Sequence, residues 1–263
     1  MSAPNVDDGL VQEYLAECRE HLATIEADLL AIEQAGARIN EELVNRVFRA
    51  AHSIKGGAGF FGLNTIRQLA HKTENILDMI RSRQIVPAPE SISILLLAFD
   101  KLRELVDNWQ ESNGVDIEDF LRALTGLASN HLPEGGKASL ERAVELPVPE
   151  QGRLIRISEF DLGQARRGGK CIYLLEYDLI HDIQRRDRTP LEVLRSLISC
   201  GTILETRFDL QSAGTLEDEP SNELTFEVLY ATALEPDLIG QLVDISPDRI
   251  RLIEKNGAIH PIS

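Results

Sequence analysis

The feature that most constrains this chain is a change in the period of its apolar residues near residue 132. Before that point apolar side chains recur at helical spacing, and beyond it they alternate in short runs separated by helical segments. With 263 residues there is room for two units. The period switch predicts a helical unit followed by one built on a sheet.

In the first part, Leu10, Leu15, Leu22, Ile25, Leu29 and Ile32 form one stripe and predict a long first helix. Asn40 is placed to cap a second helix, whose first turn carries Glu41 and Glu42. That helix is expected to run to Phe60, with a break at Gly62 and Asn64. A third helix is expected over 65–83. A fourth follows Pro87 and Pro89 and carries Ile92, Leu95, Leu96, Phe99, Leu102, Val106 and Trp109. Asp116 opens a shorter fifth, to about Asn130. Four long amphipathic helices joined by short loops imply an antiparallel bundle over residues 1–131.

Residues 132–152 are rich in proline, glycine and charge and read as a linker, with a short helix near 138–144. Beyond it, strands are expected over 170–179, 202–210, 223–233 and 249–254, and an extra one over 153–158. Helices are expected from Thr189, as cap before Pro190, to Ser199, and over 235–243. Residues 211–222 read as a polar loop. The order β-α-β-β-α-β over 153–263 predicts a ferredoxin-like, split βαβ domain.

The net charge of −16 argues against nucleic acid and against an anionic membrane surface. Cys18, Cys171 and Cys200 are odd in number and far apart, which fits reduced thiols and a cytoplasmic setting. No basic segment followed by an apolar run stands at the N-terminus, so no signal peptide is expected. The longest apolar stretch, 94–99, is too short for direct membrane insertion.

The second helix holds the informative stretch. On a helix of 3.6 residues per turn, His52 lies roughly 140° from Val47 and roughly 160° from Ile54, so it is expected to face outward or toward a groove. Lys55 and Gly56 share its face. Gly56, Gly57 and Gly59 each cost about 1 kcal/mol relative to alanine inside a helix. Either they leave room for a partner to close over the imidazole, or they mark a helix end. His71 and Glu74 share one face of the third helix. If the second and third helices pack antiparallel through Gly62, His52 and Glu74 lie at similar height, and a carboxylate there fixes the imidazole tautomer. The plainer reading of His71 and Glu74 is an exposed helical pair.

The run Ala50-Ala51-His52-Ser53-Ile54-Lys55-Gly56-Gly57-Ala58-Gly59-Phe60-Phe61-Gly62, followed by Leu69-Ala70-His71-Lys72-Thr73-Glu74, resembles the N-terminal histidine phosphotransfer (Hpt) domain of chemotaxis-type, CheA-like histidine kinases. The resemblance spans about residues 8–130. It implies that His52 is a phosphoacceptor, that Glu74 orients its imidazole, that Lys55 and His71 complete a polar network and that Gly56 gives access. It also implies two partners, the ATP-binding domain of a histidine kinase and the receiver domain of a response regulator.

No ATP-binding region or Walker-type loop is found, so no cofactor is expected in this chain, and ATP and magnesium are expected on partner domains. The chain then reads as a phosphoryl carrier and as the phosphotransfer part of a histidine kinase. In such kinases a ferredoxin-like domain docks the regulator; a regulatory or packing role fits residues 153–263 equally. The alternative function is a non-catalytic module that binds a regulator or kinase, although a degenerate Hpt domain is expected to lose its histidine. A metal site from His52, His71 and Glu74 is disfavoured because Lys55 would repel a cation.

Overall fold

The computed structural model describes residues 8–148, 153–209 and 224–262. The chain divides into two compact units, Met1–Ala138 and Ser139–Ser263.

In the first unit the expected first helix is two: α1, Asp8–Leu22, and α2, Ile25–Ala35. The apolar stripe continues across the turn at Ala23 and Thr24, so periodicity alone could not locate the break. α3, Glu41–Phe60, begins where Asn40 accepts hydrogen bonds from the backbone N–H groups of Glu42 and Leu43. It ends at a helix-terminating turn. Gly62, at φ 67°, takes the left-handed conformation, and the Leu63 N–H donates to the Ala58 carbonyl at 2.9 Å. Asn113 seals this turn by donating to the Gly62 carbonyl and accepting from the Thr65 N–H.

α4, Asn64–Arg81, α5, Pro89–Asp107, and α6, Glu118–Asn130, complete the bundle. Trp109 falls in the turn after α5. The core is filled by Leu15, Leu29, Val47, Ile54, Leu69, Leu77, Leu95 and Leu102, all under 2% exposed. The largest helix–helix interface is that of α3 with α4.

The expected linker is largely structured. α7, Glu134–Glu141, and β1, Ala143–Val148, occupy most of it, and β1 pairs antiparallel with β2, Arg153–Ser158. Leu146 and Val148 are buried in the core of the second unit. Burial of these alternating side chains outweighs a composition that reads as unstructured.

α8, Glu159–Ala165, follows, then β3, Cys171–Asp178, α9, Pro190–Cys200, β4, Gly201–Asp209, β5, Thr225–Thr232, α10, Pro236–Val243, β6, Ile250–Ile253, and β7, Ile259–Pro261. The sheet order is β4-β5-β3-β6-β7, antiparallel throughout. Its first four strands have the split βαβ arrangement, and β7 is an addition the pattern did not show. α9 starts with a reciprocal cap between Thr189 and Glu192. Ile172, Leu174, Leu229 and Ala231 face the β1–β2 hairpin and α8. Tyr230, on the other face, donates to the Leu197 carbonyl of α9. The expected loop 211–222 lies outside the described residues. Among those described, no helix is long and apolar enough to cross a membrane.

Candidate phosphotransfer site

α3 and α4 run antiparallel through the Gly62 turn, and each presents one face to the other. Phe48, His52 and Lys55 lie on that face of α3; Glu74, Asp78 and Arg81, spaced by four and three residues, lie on that of α4. The two faces meet where the antiparallel reading of the sequence places them.

The Glu74 carboxylate joins the elements. Its Oε1 lies 3.2 Å from His52 Nδ1, and its Oε2 lies 2.7 Å from Lys55 Nζ. The lysine contact is an ion pair at an angle outside that of a directed hydrogen bond. All three residues are 5% exposed or less. Burial by itself would push the Glu74 carboxyl up. The Lys55 ammonium, the His52 imidazole and, last, His71 outweigh it and hold the carboxyl at about 2, against an ordinary 4.5. Glu74 is therefore an anion at neutral pH. A carboxylate accepts only, so the contact favours the tautomer with its proton on Nδ1 and the lone pair on Nε2.

Of the two expected placements, outward or toward a groove, His52 does not take the outward one. It is 2% exposed. A helical wheel describes only the helix's own apolar side, and α4 brings Glu74 to the side that carries His52 and Lys55. Phe48, one turn earlier on α3, stacks on the imidazole with ring centroids 5.9 Å apart and planes 7° from parallel. Arg81 reaches over Phe48, its Cζ 4.1 Å from the ring centroid, and pairs with Asp78. Phe48 and Arg81 escaped sequence reasoning, although their spacing from His52 and Glu74 is helical.

The glycines divide into separate roles. Gly62, not Gly56, Gly57 or Gly59, ends the helix. At Gly57 the missing side chain makes room for the chain's own α1, because an added Cβ would lie 2.2 Å from Tyr14 Cε2. Tyr14 is buried and donates to the Ile54 carbonyl at 2.7 Å. Burial holds its hydroxyl well above the usual tyrosine range, so it remains a donor. Gly56, the expected access point, is buried. His71 is half-buried, one turn before Glu74, and its influence on the carboxylate is electrostatic. Among the described residues, no group of three or more His, Cys, Asp or Glu side chains is placed to hold a metal ion.

Residues 9–112 match the Hpt domain family model. With the His52–Glu74–Lys55 geometry, that match decides the family of this unit. The N-terminal unit is a CheA-like Hpt domain. The chain is similar to the chemotaxis protein CheA of Rhizobium meliloti, 38% identical over 138 residues, or 51% of this chain and 18% of that protein. It is also similar to CheA of Klebsiella aerogenes, 37% identical over 109 residues, or 41% of this chain and 16% of that one. The matches thus span under a fifth of these relatives. A solved structure of the phosphorylated P1 domain of CheA3 in complex with CheY6 from R. sphaeroides is 27% identical, with a TM-score of 0.43; it covers 48% of this chain and 99% of its own.

Proposed function

We propose that this protein carries phosphoryl groups in a two-component, chemotaxis-like pathway, with His52 as the acceptor. The observation that carries the reading is the Glu74 carboxylate on His52 Nδ1 inside an Hpt domain. Nε2 attacks the γ-phosphorus of ATP bound with magnesium on a partner kinase domain. The N–P bond forms, the bond to the bridging oxygen breaks, and ADP leaves with that electron pair. Nδ1 keeps its proton, and the carboxylate offsets the positive charge that develops on the ring. Lys55 neutralises Glu74 in the resting state and stands one turn from the phosphorylated ring. An aspartate of a receiver domain then takes the phosphoryl group by the reverse displacement. Because His52 is buried, local opening of the site accompanies each transfer.

The test is label transfer from a kinase ATP-binding domain supplied with radiolabelled ATP, to the wild type and to His52→Gln. Acid-labile, base-stable label on the wild type and none on the variant is expected. Equal labelling of both sinks the reading.

The sheet unit is read as a docking platform for the receiver domain, which would raise the receiver's effective concentration near His52. Chemical-shift changes within residues 139–263 of the full chain, on titration with receiver domain, are the expected result. No change there at saturating receiver removes docking from the account.

A further inference from the structure

We propose that Phe48 and Arg81 set the plane of the His52 imidazole and are positioning residues for phosphoryl transfer; the inference rests on the phosphocarrier reading above. An imidazole on a helix has two free torsions. The contact of Nδ1 with Glu74, at 3.2 Å, fixes one point of the ring but leaves it able to rock about that contact. A flat neighbour against the face removes the second freedom. Phe48 is that neighbour, 7° from parallel. The lone pair of Nε2 lies in the ring plane, so fixing the plane fixes the direction of attack.

Phe48 in turn needs a support, since a ring on an interhelical face can rotate. Arg81 covers it from α4, with Cζ 4.1 Å from the centroid, and Asp78 holds the guanidinium from one turn away. The order across the interface is Asp78, Arg81, Phe48, His52, Glu74 and Lys55. Both ends of this chain of contacts are anchored by ion pairs to residues of the same two helices. Phe48 carries no exchangeable proton and Arg81 is held on Phe48 and Asp78, so the role assigned to them is geometric.

The experiment uses the full chain with a kinase ATP-binding domain and ATP, and compares wild type, Arg81→Gln, Phe48→Leu and Phe48→Tyr. Two readouts are taken: kcat and KM for labelling, and the nitrogen NMR signals of the His52 ring, which require no phosphorylation. Arg81→Gln and Phe48→Leu are expected to lower kcat about tenfold with KM for the kinase domain unchanged, and to broaden the ring signals, while Phe48→Tyr restores both. Wild-type kcat and ring signals in both Arg81→Gln and Phe48→Leu overturn the proposal, as does an effect on KM alone. Arg81 is partly exposed, so its variant decides the matter if Phe48→Leu does not fold. Absence of label on wild-type His52 defeats the phosphocarrier reading instead, and the ring signals then judge the positioning role by themselves.

Discussion

Glu74 Oε1 lies 3.2 Å from His52 Nδ1, on neighbouring helices 22 residues apart in sequence. The carboxylate is buried and ionised, so it acts on the ring as a fixed charge and not as a proton carrier. Glu74→Gln keeps the shape and removes the charge. The amide can also present its NH2 group to Nδ1 and favour the wrong tautomer. The rate of phosphoacceptance at saturating kinase domain is expected to fall about a hundredfold, the loss usual when one fixed electrostatic partner of a developing charge is removed. An unchanged rate would show that Glu74 does not orient the nucleophile.

The same carboxylate couples folding to acid. Its folded value, about 2, lies below the ordinary 4.5, so the folded state binds the proton more weakly than the unfolded chain. The resulting stability is complete above about pH 4.5 and is lost as the pH falls toward 2. It is on the order of 3 kcal/mol for a shift of this size. Urea unfolding between pH 6 and 2 is expected to show a steeper decline for the wild type than for Glu74→Gln across that window. Parallel curves would contradict the assignment.

Most of the architecture was legible because its signals are local. The Asn40 and Thr189 caps, the Gly62 terminator and the alternating strands each act within a few residues. The split of the first helix at Ala23 and Thr24 is hidden by an unbroken apolar stripe, while the misreadings at the linker and at the site came from contacts distant in sequence. Val144, Leu146 and Val148 alternate as a strand does, but Pro147 and the surrounding glycines and charges suggested a linker until β2 and the sheet core were in view. Pro147 is tolerated because β1 has only β2 as a neighbour in its sheet. At the site, the pairing of His52 with Glu74 followed from antiparallel geometry. The burial of His52, the Phe48 stack and the seat of Tyr14 on Gly57 depend on which side chains neighbouring helices bring.

Gly57 faces two opposing effects on substitution. Alanine gains about 1 kcal/mol from helix propensity. Against this, its Cβ would sit 2.2 Å and 2.5 Å from two ring carbons of Tyr14, a buried ring tethered through its hydroxyl to Ile54. Overpacking of this kind costs about 1–3 kcal/mol, and so tight an approach belongs at the upper end. Gly57→Ala is expected to be net destabilising by at least 1 kcal/mol or so, and the penalty to disappear in a Tyr14→Leu background. The double-mutant cycle in urea measures this directly; additive effects would mean that the ring and the glycine are not coupled.

Gly126 is the converse case. It lies inside α6, exposed, with nothing within 4 Å of an added Cβ. No packing opposes the propensity term, so Gly126→Ala should raise stability by about 1 kcal/mol. A shift of the urea midpoint upward at unchanged slope is the expected result. A fall would mean that the exposed face of α6 is engaged in the native protein.

The sheet unit offers a sharper electrostatic test. Arg251 Nη1 lies 2.8 Å from Glu176 Oε1, with the two side chains 11% and 9% exposed. Glu176 also stands directly opposite Glu227 in the β3–β5 register, so two buried carboxylates share one stretch of sheet. Arg251→Met keeps the apolar stem and removes the charge. It leaves the buried Glu176 carboxyl without its cation and opposite Glu227, and a broken buried pair of this kind costs about 3–5 kcal/mol. Replacing Glu176 as well, in Glu176→Gln/Arg251→Met, removes the stranded charge and is expected to recover most of that loss. Thermal unfolding of the single and double variants distinguishes the cases: if Arg251→Met alone costs less than about 1 kcal/mol, the pair behaves as an exposed one and the burial argument fails.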